Sequence, residues 1–249
     1  MVRRVPAPRP IHLRPSTELA DRVLLPGDPH RALAIAQDLL ASPRMFNHHR
    51  GLWGYTGDAA DGRPLTVQAT GMGGPSAAIV VEELILLGAR TLIRVGTCGA
   101  IAPGLELGDV LAATAAIPAD GASVALGATN PVLPDRALNN ALLEGKLDER
   151  QRPRAATIAS TDLFYDDRAE VAPGWLADGA VAVEMEAATV LYLAARRGVA
   201  AACLLGVSDV LGAGAESNER LRIDADGLEA LGLRLGAVAY AALAGLPER

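Results

Sequence analysis

The stretch DRVLLPGDPHRALAIAQDLL (residues 21–40) contains the pattern on which the fold is built. Its apolar run VLL predicts a buried strand, the pair Pro26-Gly27 predicts a turn, and HRALAIAQDLL predicts a helix. The same order of apolar strand, glycine-containing turn and helical pattern recurs along the chain. We therefore expect an α/β domain with a central mixed, largely parallel β-sheet flanked by helices.

The rest of the chain follows this layout. Residues 51–71 predict a β-hairpin with its turn near residues 58–62. Residues 118–154 are polar and irregular and predict a loop with one helix. Residues 1–10, rich in Pro and Arg, predict a flexible tail before a single domain at 11–249. Helices are predicted at 75–88, 186–198 and 224–243, and further strands at 91–101, 108–117, 156–160, 180–185 and 200–209.

Composition and charge argue against several classes of protein. Half of the 249 residues are hydrophobic, which is enough for a sizeable core, but only 3% are aromatic. So few aromatic side chains argue against an open platform on which nucleic-acid bases stack. The formal net charge of -6, without a basic stripe, makes nucleic acid and anionic membranes poor partners.

The cysteines and the apolar runs indicate the compartment. Cys98 and Cys203 lie far apart in apolar runs and at no zinc-binding spacing. They predict free thiols in a reducing cytosol, with one disulfide as the alternative. The N-terminus lacks the apolar core of a secretory signal, and no run approaches the roughly 20 apolar residues that span a bilayer. We expect a soluble cytoplasmic protein without a metal site.

Two strand ends carry residues suited to an anion. Gly27 ends the first strand, where a glycine lets backbone amides approach an anion, and Arg31 follows one turn into the helix. The alternative is a plain turn followed by a solvated arginine. Arg94 lies inside an apolar strand two residues before Gly96, and its charge needs a partner. A ligand anion, with Thr97 donating to the same oxygens, is favoured over a core glutamate.

Two further strand ends carry carboxylates. Glu184 and Glu186 flank Met185 where a strand meets a helix, and a carboxylate there can accept hydrogen bonds from the vicinal hydroxyls of a sugar. One glutamate could instead pair with a core arginine while the other caps the helix, an alternative that suits Glu184. Ser208 and Asp209 close another apolar strand. Asp209 could cap the following segment or, in a pocket, supply a proton.

Seven segments, in order along the chain, resemble the successive motifs of the bacterial hexameric nucleoside phosphorylases. That group includes purine nucleoside, uridine and methylthioadenosine phosphorylases. The resemblance implies a single α/β domain in a hexamer built as three dimers. It also implies phosphorolysis, in which a nucleoside and orthophosphate, a co-substrate rather than a cofactor, give a free base and a pentose 1-phosphate. The segments are LLPGDPHR, NHHRGLWGYTG, GMGGPSAAIVVEEL, IRVGTCGAI, STDLFY, VEMEAA and GVSD.

The resemblance also implies a role for each matching residue. Asp209 and Arg222 would be catalytic, and His12 and Arg50 would complete the site of a neighbouring subunit. Residues that would hold phosphate are Gly27, Arg31, Arg50, Arg94 and Thr97. Residues that would hold the nucleoside are His12, Phe164, Glu184, Met185, Glu186 and Ser208.

The choice within the family rests on the base-contacting positions. The Ser208-Asp209 pair resembles the purine enzymes, and the short span between Phe164 and Glu184 lacks the insertion with which the uridine enzymes read uracil. The segment GMGGPSAAIVVEEL is closer to the uridine enzymes. We expect a purine nucleoside phosphorylase. Uridine or methylthioadenosine phosphorylase, a nucleosidase and a non-catalytic nucleoside-binding protein are alternatives. Arg220 and Arg222 both match the arginine that assists the aspartate; the spacing favours Arg222, and the preceding glutamate favours Arg220.

Overall fold

The computed structural model describes residues 9–144, 152–211 and 220–247. In these ranges the strands are β1 Arg22–Leu25, β2 Leu40–Asn47, β3 Gly54–Ala59, β4 Pro64–Gln68, β5 Thr91–Ala100, β6 Val110–Ala119, β7 Arg154–Thr161, β8 Ala182–Glu184, β9 Ala200–Leu211 and β10 Arg220–Arg222. The helices are α1 Pro29–Leu39, α2 Gly74–Leu87, α3 Gly121–Leu126, α4 Arg136–Glu144, α5 Val171–Ala177, α6 Ala187–Arg196 and α7 Ala225–Ala244, with a short 3₁₀ turn at His49–Gly51.

The strands form one mixed sheet that closes on itself at its centre. Their order is β10-β9-β6-β7-β8-β5-β1-β4-β3-β2, and β5 pairs with β9 as well. Strands β5, β9, β6, β7 and β8 therefore make a closed ring, from which β1, β4, β3 and β2 extend. The pairs β1–β5, β1–β4, β5–β9, β6–β7 and β7–β8 are parallel. Among the described strands an equal number of pairs is antiparallel: β10–β9, β2–β3, β3–β4, β5–β8 and β6–β9. A mixed sheet flanked by helices is as predicted.

The central strands are apolar because both of their faces are covered. Along β5, Leu92 packs into one core cluster while Ile93 and Val95 pack into the other. Helices α2, α3 and α6 pack together on the first side, and α1, α4 and α7 pack together on the second. A strand buried on both faces reads as a continuous apolar run, which explains why β5 and β9 are recognisable from sequence.

Most predicted elements are confirmed, including the hairpin β3–β4, with Gly62 in its turn at φ 75°. The prediction of one helix within 118–154 is wrong, because this range holds the end of β6 and both α3 and α4. Strands β2 and β10 and helix α5 were not predicted. Residues 1–8 of the expected tail lie outside the described residues.

Helix α7 is long and apolar enough to cross a membrane by those two measures alone, in contrast to the sequence expectation. Its apolar side chains include Leu231, Leu235 and Val238, which are buried in the second core cluster. The helix packs on α1, α4, β5 and β9. A helix that packs one face into the core of a domain has the same composition, and this packing is what the structure shows.

Candidate active site

A pocket of about 440 Å³ opens where β1, β5 and β9 end, beside the segments that follow β7 and β8. Carboxyl ends of parallel strands are where ligands collect in α/β sheets. Three predicted site residues, His12, Arg50 and Arg222, do not line it. The predicted residues that do are Gly27, Arg31, Arg94, Thr97, Phe164, Glu184, Met185, Glu186, Ser208 and Asp209.

Arg94 is buried and is paired with two carboxylates of the same chain. Its Nε lies 2.9 Å from Glu184 Oε2, and its Nη2 contacts Glu186 Oε2. Burial alone would lower the pKa of Arg94, but the two carboxylates outweigh it and raise the pKa. The core glutamate that the sequence offered as an alternative partner for Arg94 is therefore present. Nη1, however, is buried and finds no hydrogen-bond partner among the residues that the structure describes, and such an orphaned donor is costly unless a ligand satisfies it.

Gly96 makes room for this arginine. A Cβ built on Gly96 would lie 2.7 Å from both Cζ and Nη2 of Arg94. The guanidinium therefore folds back over the glycine two positions along β5. The spacing Arg-x-Gly in IRVGTCGA is required by this close approach rather than by a turn.

Glu184 has no capacity left for a ligand. Its carboxylate accepts hydrogen bonds from Arg94 Nε, Ser160 Oγ and the backbone amides of Glu186 and Ala187. Its side chain has no exposed surface. This geometry matches the alternative raised from the sequence, in which a glutamate pairs with a core arginine or caps the helix. Glu184 orients Arg94 and caps the start of α6. Glu184 lies in the pocket wall, while a direct contact with a nucleoside stays a prediction.

Glu186 differs because its carboxylate is only partly used. Oε1 accepts the backbone N–H of Gly73 at 2.5 Å, and Oε2 contacts Arg94. A carboxylate offers about four lone-pair positions, so room remains for two more donors. Burial raises the pKa of Glu186, with Arg94 opposing the shift and the charge of Glu184 adding to it. Donors that approach from the pocket would stabilise its ionised form.

Arg31 brings a second positive charge into the pocket. Its alkyl chain packs over Gly232 of α7, where an added Cβ would lie 3.1 Å from Cγ. Within the described part of the chain its guanidinium makes neither a hydrogen bond nor an ion pair. Burial lowers the pKa of Arg31; Asp28 opposes this, and the positive charge of Arg94 adds to it. Two neighbouring guanidinium groups of this kind favour an anion between them.

The start of α1 does not itself offer an anion site. Asp28 caps the helix, and its Oδ1 accepts the Arg31 backbone N–H at 2.8 Å. The Asp28 carboxylate thus accepts a backbone N–H at the start of α1 to which the sequence pattern predicted that an anion would bind. Gly27 and Thr97 line the pocket beside it. An anion here would be held mainly by the arginine side chains.

Asp209 lies at the other end of the pocket and is buried. Its Oδ2 accepts the Ser208 hydroxyl at 2.7 Å. Arg222 Nε lies 2.8 Å from Oδ1, which is close enough for an ion pair, although its N–H is not aligned for a hydrogen bond. The antiparallel pairing of β10 with β9 sets Arg222 directly opposite Asp209. Of the two candidate arginines, the structure places Arg222 beside the aspartate.

Arg220 lies instead over Phe164. Its guanidinium carbon is 4.2 Å from the centroid of the ring, and its Nη2 donates to the Phe164 carbonyl. Next to this pair, α5 contributes Val171 and Trp175 to an apolar wall. Sequence reasoning missed this wall, because no motif links α5 to the strand ends and only the fold brings it there.

His12 and Arg50 form a separate cluster. The His49 ring nitrogen Nδ1 lies 3.0 Å from the His12 carbonyl oxygen, which links the N-terminal segment to the turn that carries Arg50. Arg50 is exposed and has φ 60°, a left-handed conformation that costs energy in a residue with a side chain. The structure thus brings together the two residues predicted to serve another subunit, outside the pocket of their own chain.

Comparisons with known proteins identify the family and the fold. The profile of the family described as Phosphorylase superfamily matches residues 21–244. A protein of Caldanaerobacter subterraneus subsp. tengcongensis, named "Purine nucleoside phosphorylase DeoD-type", is 40% identical over 203 residues, which are 78% of this chain and 84% of that one. One of Geobacillus kaustophilus with the same name is 38% identical over 216 residues, 85% and 91% of the two chains. The crystal structure of a uridine phosphorylase from Vibrio fischeri, complexed with 6-hydroxy-1-naphthoic acid, superposes with a TM-score of 0.76 at 25% identity, covering 91% and 90%.

Proposed function

Because the chain belongs to the phosphorylase superfamily, we propose that it is a purine nucleoside phosphorylase. It converts a purine ribonucleoside or deoxyribonucleoside and orthophosphate into the free base and a pentose 1-phosphate. Orthophosphate is the co-substrate, and the reaction uses no cofactor. The purine assignment is supported by relatives that carry this name at 36–40% identity over most of the chain.

One observation supports phosphorolysis as the reaction type. Arg31, Arg94 and the partly used carboxylate of Glu186 line one pocket, and Nη1 of Arg94 has no hydrogen-bond partner among the described residues. An anion beside a hydroxyl acceptor is what phosphorolysis of a sugar–base bond requires. Phosphate is held by Gly27, Arg31, Arg94 and Thr97, and its charge stabilises the oxocarbenium-like transition state at C1′. Holding both reactants also removes much of the entropic barrier.

The sugar and the base occupy the remaining length of the pocket. The 2′- and 3′-hydroxyls donate to Glu186, with Met185 and Glu184 in the same wall. The purine lies against Phe164 near Ser208. Asp209, in its protonated form, donates to N7 of the purine and makes it a better leaving group. Arg222 stabilises the aspartate charge left after the transfer.

We also propose that the protein is a cytoplasmic homohexamer built as a trimer of dimers. In each dimer His12 and Arg50 of one copy complete the pocket of the other. The exposed side chains of Ile11, Ile79 and Leu86 support a second copy on this face, since apolar surface around the cluster favours burial. Sedimentation at assay concentration tests the assembly, and a fully active monomer contradicts it.

Base release with and without phosphate tests the proposed reaction. We expect inosine, guanosine or adenosine to release base only when phosphate is present, with one pentose 1-phosphate formed for each base. Equal release without phosphate would identify a nucleosidase instead. Tight nucleoside binding without any turnover would identify a non-catalytic binding protein.

Uridine phosphorolysis is the second candidate, because the superposed crystal structure is that of a uridine phosphorylase. The identity to that protein is 25%, below the 36–40% shared with the purine enzymes. Uridine and 5′-methylthioadenosine, assayed beside the purine nucleosides, decide the question. A kcat/KM for uridine above that for every purine nucleoside would overturn the purine assignment.

A further inference from the structure

Glu83 is a buried carboxylate of α2 that the proposed mechanism does not use. It lies outside the pocket, and its side chain is 9% exposed. A buried carboxylate needs partners, so its contacts indicate what it is for.

Within the described residues, the Glu83 carboxylate makes all its hydrogen bonds to one short segment, residues 11–13. Its two oxygens accept the backbone N–H groups of Ile11, His12 and Leu13 at 2.6–3.0 Å. Oε1 also lies 2.7 Å from Nδ1 of the His12 ring. Burial would raise the pKa of Glu83, but the donors from Leu13, Ile11 and His12 outweigh it and hold the pKa below its ordinary value. The carboxylate is therefore ionised near neutral pH.

An ionised carboxylate can only accept hydrogen bonds, and this fixes the histidine. Nδ1 of His12 must carry the proton that it shares with Glu83. In the neutral imidazole Nε2 is then the acceptor, because the hydrogen bond of one ring nitrogen sets the state of the other. None of the described residues hydrogen-bonds to Nε2.

We propose that Glu83 is a positioning residue that holds the His12 ring with Nε2 as an acceptor for the 5′-hydroxyl of a nucleoside. The inference rests on the proposed function, in which His12 reaches the nucleoside bound by a neighbouring copy. Glu83 itself touches no substrate. It acts by fixing both the place of the segment 11–13 and the tautomer of its histidine.

The substitution Glu83→Gln tests this role because it keeps the size of the side chain. The amide can donate to Nδ1, which would leave the proton on Nε2 and remove the acceptor. We expect KM for nucleosides with a 5′-hydroxyl to rise about 3- to 10-fold, the size of one lost hydrogen bond. KM for the matching 5′-deoxynucleosides should change much less. In a His12→Ala background, Glu83→Gln should no longer alter the ratio of the two KM values.

A purely structural role would give a different result. General loosening of the segment would raise KM equally for both kinds of nucleoside, and that outcome would overturn the proposal. Glu82→Gln is the matched control. Its carboxylate pairs with Arg197 and, among the described residues, does not hydrogen-bond to residues 11–13, so the KM ratio should stay at the wild-type value.

The tautomer can be read without any Glu83 variant. In ¹⁵N spectra of the histidine-labelled full-length protein, with His12 assigned by substitution, we expect the neutral ring to carry its proton on Nδ1. A proton on Nε2 would overturn the proposal even if Glu83→Gln does not fold. If the wild type cleaves no nucleoside, the proposed function fails, while this spectrum still decides whether Glu83 holds the ring as inferred.

Discussion

Asp209 and Glu184 show that two buried carboxylates in one pocket can have different tasks. Glu184 is saturated by donors of its own chain, whereas Asp209 accepts one hydroxyl and faces an arginine. The proposed general acid is therefore the carboxylate with free capacity at the base end of the pocket.

Asp209→Asn should lower kcat on natural purine nucleosides by about 10²–10⁴-fold, the usual contribution of a general acid. The amide keeps the shape of the side chain but cannot deliver the proton to N7. Steady-state kinetics with inosine measure the loss. Asp166→Asn is the control, because it removes the same charge from the pocket mouth, where Asp166 pairs with Arg168. An unchanged kcat for Asp209→Asn would remove the aspartate from the mechanism.

Gly96→Ala should raise KM for phosphate. The new Cβ would collide with the Arg94 guanidinium, which is held by Glu184 and Glu186 and cannot swing away freely. We expect an increase of about 10- to 100-fold, as for loss of one hydrogen bond to a charged group. Gly174→Ala in α5 is the matched control, because its Cβ would meet no atom within 4 Å. A normal phosphate KM in the Gly96 variant would show that Arg94 does not hold phosphate.

The register of strand β10 shows which of the two candidate arginines lies beside Asp209. Its antiparallel register pairs Arg222 with Asp209 and Arg220 with Leu211. Successive side chains point to opposite faces of a strand, so residues 220 and 222 share a face. One guanidinium reaches the aspartate, and the other covers Phe164.

Arg222→Ala should therefore lower kcat on purine nucleosides by about 10-fold or more, since it removes a charged partner of the proposed acid. Arg220→Ala should mainly raise KM for the nucleoside, by about 2- to 5-fold, through loss of its contact with the Phe164 ring. Comparing the two variants under the same conditions separates these effects. A large loss of kcat in the Arg220 variant alone would reverse the assignment.

The elements that sequence reasoning missed share physical causes. β2 is an edge strand that contains Pro43 and alternates poorly between buried and exposed positions, so it lacks the period of a strand. α5 contains Pro173 and Gly174, both unfavourable in helices. By contrast, β5 and β9 are continuous apolar runs, and their polar residues at the strand ends were found directly.

Site residues that belong to a sequence motif were predictable. Contacts that arise only when the chain folds were not. Arg94 and Glu186 stand out as charges in apolar runs. The sequence favoured Glu184 for the structural role but could not show that its carboxylate is saturated, because Ser160 Oγ and the backbone at the start of α6 supply the donors. The acceptor Glu83 was likewise invisible, since its partners lie about 70 positions away along the chain.

In the molecule as a whole, the pocket forms because the central strands β5, β9, β6, β7 and β8 close into a ring. β5 pairs with β9 along its length, with Arg94 opposite Cys203 and Gly99 opposite Asp209, so Arg94 and Asp209 line one pocket at different positions along the two strands. The cluster of His12 and Arg50 lies outside this pocket. In the proposed function one chain supplies the phosphate end and the base end of the pocket, and the proposed assembly adds the remaining two side chains.

Arg31 and Arg94 are proposed to hold phosphate next to the sugar, and diffraction from crystals soaked in phosphate tests this placement. We expect a bound phosphate within hydrogen-bonding distance of the Arg31 guanidinium and of Arg94 Nη1, on the side of the pocket that faces Glu186. A pocket without an anion at saturating phosphate, with Arg94 paired only to Glu184 and Glu186, would contradict it.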